Sequence, residues 1–102
     1  MIMRITWGKL RPGSWNEFEK TYRATVAAKG GKLKGLRGRW LLQDAADKDT
    51  GFAVSLWESA AEMQAYEQSD LYRQEIAPAL QPFFVGEYKT YRCDVKYTDV
   101  GA

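Results

Sequence analysis

Between Val54 and Tyr66 the chain changes its hydrophobic period, and few folds accommodate that change. Phe52, Val54 and Leu56 alternate with Ala53, Ser55 and Trp57, the two-residue period of a strand. Met63 and Tyr66 then follow at helical spacing. Ser59 and Glu62 lie in between, spaced as a capping box. The serine oxygen takes a backbone N–H of the new helix, and the glutamate reaches back to the serine N–H. A helix that starts this soon after a strand must fold back over the sheet. Trp57, just before the switch, stands where a side chain lines the gap between the two layers.

The rest of the chain obeys the same grammar. Met1 to Leu10 reads as a strand carrying Ile2, Ile5 and Trp7, with Gly8 at its weakening end. Arg11-Pro12-Gly13 is a turn, and Ser14 with Glu17 forms a second capping box. Trp15, Phe18, Tyr22 and Val26 give the following helix one apolar face, and Gly30-Gly31 ends it in a left-handed cap. Leu33 to Gln43 is a strand with Leu36, Gly38, Trp40 and Leu42 on one face and Arg37, Arg39, Leu41 and Gln43 on the other. Asp44 to Gly51 is a hairpin loop, and Phe52 to Glu58 the third strand. Ser69-Asp70 breaks and recaps the second helix, whose continuation carries Leu71, Tyr72 and Ile76. Pro78 and Pro82 exclude one continuous helix through Phe84. Gly86 opens a last strand, Glu87 to Tyr97, and 98–102 is a loose tail.

The order is βαββαβ, which predicts an α+β, ferredoxin-like domain over 1–102: an antiparallel four-stranded sheet with the helices on one face. Strands two, three and four carry apolar residues on both faces, so the face without helices needs cover. A homodimer packed sheet on sheet supplies it. A net charge of +2 argues for neither nucleic acid nor a membrane surface as partner. No apolar run approaches the roughly 18 residues that span a bilayer, and the N-terminus lacks the pattern of a signal peptide. One cysteine, Cys93, fits a reducing cytoplasm. The chain has no histidine, which removes the commonest general base and the commonest metal and haem ligand.

Leu56-Trp57-Glu58-Ser59, then Met63 and Tyr66, then Ser69-Asp70-Leu71-Tyr72 resemble a run of the dimeric α/β-barrel family typified by antibiotic-biosynthesis monooxygenase domains. The resemblance extends in element order over nearly the whole chain. It implies a dimeric barrel and, in some relatives, cofactor-independent oxygenation of polycyclic phenols or quinols. Other relatives degrade haem, using a strand-one asparagine, a tryptophan on the second helix and an iron-binding histidine. The matching positions here are Thr6, Tyr66 and Ile76, so that activity is not expected.

Trp57, Tyr66 and Tyr72 are candidates to wall a pocket for a flat aromatic ligand, with plain core packing as the alternative. Thr6 and Arg92 complete the substrate-binding candidates. Arg4 and Arg92, on the outer strands, are suited to hold an oxyanion, although a solvated surface side chain is the plainer reading of each. Trp15 and Tyr22 read as core. So does Cys93, which has no histidine to activate it. Lys29, Lys32, Lys34, Arg37 and Arg39 read as the charged guard of an edge strand. Asp44, Asp47 and Asp49 read as solvation of the hairpin, and no cofactor or metal is expected. Two functions follow: a cofactor-independent monooxygenase of small aromatic or quinol-like compounds, or a non-catalytic dimeric barrel that binds a hydrophobic small molecule.

Overall fold

The computed structural model describes residues 1–101, apart from the side chain of Glu87; Ala102, the end of the expected tail, lies outside the described residues. The strands are β1 (Ile2–Leu10), β2 (Leu36–Gln43), β3 (Thr50–Trp57) and β4 (Phe84–Asp94). They form one four-stranded antiparallel sheet in the order β2-β3-β1-β4, the ferredoxin-like arrangement expected of the βαββαβ order. Helix α1 (Trp15–Tyr22) passes into a π-helical segment, Arg23–Ala27. Helix α2 (Ala60–Glu67) is followed by a second π-helical segment, Leu71–Ile76, then α3 (Ala77–Leu80) and a 3₁₀ turn, Gln81–Phe83. Pro78 and Pro82 thus end each regular type without unwinding the chain. Each falls at the start of a new helical segment, where a missing N–H costs little.

The sheet has two unlike faces. Ile2, Arg4 and Thr6 lie beside Trp57, Ser55 and Ala53 on the face under the helices. Ile2, Trp57 and Met63 form a buried cluster there, with Leu33, Leu36 and Tyr66 packed against it. Phe18 makes edge contacts with Phe83 and Phe84, extending the core toward Leu10. The opposite face presents Ile5, Trp7, Val54 and Leu56, with Trp40, Leu42 and Tyr91 at 45%, 46% and 50% exposure. Cys93 pairs with Met3 on this uncovered face and is exposed, not core.

Several local expectations change for physical reasons. A bulge at Arg37 turns Leu36 over to the helix side, away from Gly38, Trp40 and Leu42. Ser14 does not cap α1 through its side chain. Its hydroxyl donates to the Arg11 carbonyl at 2.6 Å and closes the turn instead. Gly8 does not end β1; an added Cβ would lie 2.3 Å from the Phe84 ring, so the position is left empty for that ring. Gly30 is not left-handed: its N–H still bonds the Val26 carbonyl. A Cβ there would meet Arg39 Nη1 at 2.9 Å, and Arg39 donates to the carbonyls of Val26 and Gly30, capping the helix from the strand. The left-handed glycine in this connection is Gly35, at φ +83, which turns the chain into β2. The last strand begins at Phe84, earlier than expected, and ends at Asp94, so Val95 and Tyr97 lie beyond it.

Candidate functional site

Three elements bring aromatic rings to one place. Trp57 ends β3 at 1% exposure, its indole N–H donating to Ser55 Oγ at 2.9 Å. The Ser59 cap then sets the angle at which α2 returns over the sheet. Ser59 Oγ accepts from the Glu62 N–H at 3.3 Å and donates to the Glu62 carboxylate at 3.0 Å, a side-chain variant of the expected box. This puts Tyr66 against Trp57, ring centroids 5.1 Å apart. Ser69 Oγ donates to the Tyr66 carbonyl and accepts from the Tyr72 N–H, so the expected recapping occurs and brings the Tyr72 ring within 5.1 Å of Tyr66. Both π-helical segments border this space, through Val26 on one side and Tyr72 and Ile76 on the other.

A cavity of about 70 Å³ lies between these rings and the sheet, open to solvent at one end. Trp57, Tyr66, Tyr72 and Thr6 all line it, as does Tyr22, which the sequence reading had placed in the core. Arg92 does not line it. Its exposed guanidinium, beside Arg4 across β1 and β4, binds Glu67, Nη2 to Oε2 at 2.7 Å. Arg4, by contrast, is no solvated surface arginine. It is 9% exposed and forms the polar wall. Its Nε donates to Glu67 at 2.6 Å and its Nη2 to the Tyr72 hydroxyl at 2.8 Å, with Thr6 Oγ1 at 3.4 Å from Nη1. Thr6 in turn shares a 2.9 Å hydrogen bond with Thr90 across β1 and β4. Arg39 also lines the cavity, so it is not part of a charged edge. Lys29 and Arg37 of that basic run are paired with Glu75 and Glu58 on the surface.

Glu67 is the residue that sequence reasoning missed. It follows Met63 by four positions, so it shares that residue's inward helical stripe, a place where a carboxylate needs a cation. Burial alone would raise its pKa, but donors from Arg92 and Arg4 outweigh burial and hold the group below its ordinary value. For Arg4, burial acts to lower the pKa, while Tyr72 and Glu67 more than reverse this and keep it charged. Burial pushes the Tyr66 hydroxyl up to about 12 against the opposing pull of Arg4, and it raises Tyr22 as well. Both phenols are therefore neutral donors near pH 7. Arg4 donates to the oxygen of Tyr72, which leaves the Tyr72 proton for another acceptor. Among the described residues no cluster of three or more His, Cys, Asp or Glu side chains is placed to hold a metal.

These features define a class: an α+β sheet protein whose interlayer cavity is lined by aromatic and aliphatic side chains and carries the fixed donors of Arg4. The sequence profile of the antibiotic biosynthesis monooxygenase family matches residues 1–77, and the chain belongs to that family. Solved structures share the fold. One is a conserved protein from Methanosarcina mazei Go1, at TM-score 0.82 and 16% identity over 93% of this chain and 92% of that one. A variant of SnoaB, a cofactor-independent oxygenase from Streptomyces nogalater, matches at TM-score 0.77 and 18% identity, covering 95% and 94%. Rv0793 from Mycobacterium tuberculosis matches at TM-score 0.79 and 11% identity, covering 97% and 98%. No curated protein matches the chain. At these identities the structural likeness is one of fold.

Proposed function

We propose that the protein is a cofactor-independent monooxygenase of small aromatic or quinol-like compounds, acting in the cavity between sheet and helices. The observation that carries the reading is the meeting of aromatic walls with Arg4, Tyr72 and Thr6 on one polar side. In such a reaction the substrate is its own reductant. A phenol or enolisable ring loses a proton, and the resulting anion reacts with O₂ at carbon to give a peroxide. Loss of water then converts a CH₂ into C=O, with one oxygen atom in the product and the other in water. The protein's part is to hold the ring, stabilise the oxyanion and exclude water. Tyr66 and Tyr72 offer hydroxyl donors for the oxyanion, and Arg4 polarises Tyr72. At about 70 Å³ the cavity takes one ring at most as it stands, so a larger substrate extends through the open end or displaces its rim.

The second reading, binding without turnover, draws support from the state of the charged groups. Glu67 is locked by two arginines, and the chain has no histidine, so among the described lining residues no free general base faces the cavity. The substrate's own acidity must then do that work. Oxygen uptake by chelator-treated protein with a panel of anthrones and quinols separates the two. Saturable uptake supports the oxygenase; saturable binding with no uptake supports the second reading.

We infer further a cytoplasmic homodimer built through the uncovered sheet face. Trp40, Leu42 and Tyr91 form with Trp7 and Leu56 a patch that a single chain leaves wet, and a two-fold copy of the same face covers it. No helix among the described residues is long and apolar enough to cross a membrane.

A further inference from the structure

Charge is unevenly spread around the cavity. Arg4 and Arg39 stand on its wall, and among the described lining residues there is no aspartate or glutamate. The carboxylate nearest to Arg4 is Glu67, and Arg92 shares it through three hydrogen bonds of 2.7 to 3.2 Å. Two guanidinium groups around one carboxylate leave an excess positive charge. Arg92 is exposed and hydrated, whereas Arg4 is buried and faces the cavity, so the excess is felt where water screens it least. Arg4 spends its Nε on Glu67, one N–H of Nη2 on Tyr72 and one N–H of Nη1 on Thr6, which leaves one N–H on each terminal nitrogen without a partner among the described residues. Among the described residues Arg39 donates to backbone carbonyls only.

We propose that the ligand of this cavity is an aromatic anion, a phenolate or aryl carboxylate, and that Arg92 sets this preference from outside by drawing the charge of Glu67 away from Arg4. The proposal rests on the cavity being the ligand site. Arg92 is a positioning residue here: it touches Glu67, not the ligand.

The test is a calorimetric titration with a matched pair of single-ring probes, benzoate and neutral benzamide, near neutral pH. A charge-assisted hydrogen bond predicts that the carboxylate binds about tenfold tighter or more. Arg92→Gln should move that ratio toward unity, and Arg92→Lys, which keeps the charge, should restore it. Affinity for the carboxamide and the melting temperature report whether each variant is folded. Equal affinity for the two probes in the parent protein overturns the proposal while leaving the cavity as a ligand site. So does a ratio unchanged in Arg92→Gln. If neither probe binds, the ligand site falls with it.

Discussion

Tyr66 is the residue on which the two functional readings diverge. Its ring packs between Trp57 and Tyr72, but its hydroxyl has no hydrogen-bond partner among the described residues. Tyr66→Phe keeps the ring volume and removes only that hydroxyl, so stability should change by no more than about 0.5 kcal/mol. If the hydroxyl serves an oxyanion, turnover should fall by roughly 10²–10³; unchanged turnover and affinity would remove Tyr66 from the site. The same group sets a pH limit. Its folded pKa is about 12 against an ordinary value of 10.0, raised by burial. The neutral form is the one folding favours, so this contribution is complete below pH 10 and is lost as pH rises toward 12. Glu67 behaves oppositely: its lowered pKa gives stability that is present above the ordinary value of 4.5 and is lost on acidification. Thermal unfolding across pH should show both flanks, and Tyr66→Phe should soften the alkaline one. At this scale spacing reads Tyr22 as core, whereas the grouping of Trp57, Tyr66 and Tyr72 was legible from spacing and capping. Arg4 was not, because the Ile5 and Trp7 beside it in sequence belong to the other face, and its partner Glu67 is 63 positions away.

The element that fixes the site is α2, and its start is chemically simple. Ser59 is in extended conformation and its oxygen caps Glu62. Ser59→Ala should cost about 1 kcal/mol in chemical unfolding. It should also weaken ligand binding, since the cap sets where Tyr66 sits relative to Trp57; a loss of stability with intact affinity would show that the helix angle is held by packing instead. The strand-to-helix switch was readable because capping chemistry is local. The bulge at Arg37 and the inward turn of Arg39 were not, since a one-residue slip reverses the faces of a strand and only the partner strand specifies it. The two π-helical segments were also hidden. No residue pattern marks Arg23–Ala27 or Leu71–Ile76 as π-helical.

For the whole molecule, element order carried the four-stranded antiparallel sheet and the placement of helices on one face, because connections this short permit few alternatives. What it left open is what covers the other face. Sedimentation at micromolar concentration should give twice the chain mass, and Leu42→Glu, a charge placed on the uncovered face, should shift the protein to monomer; a monomeric parent would remove the dimer. The account as a whole rests on O₂ chemistry in the cavity without a metal or an organic cofactor. It is tested most directly by turnover of an anthrone under ¹⁸O₂ in the presence of chelator. The account predicts one labelled oxygen per product molecule, at a rate proportional to protein and sharply reduced in Tyr66→Phe. Product formation that is unlabelled, stops with chelator or is indifferent to Tyr66 would contradict it.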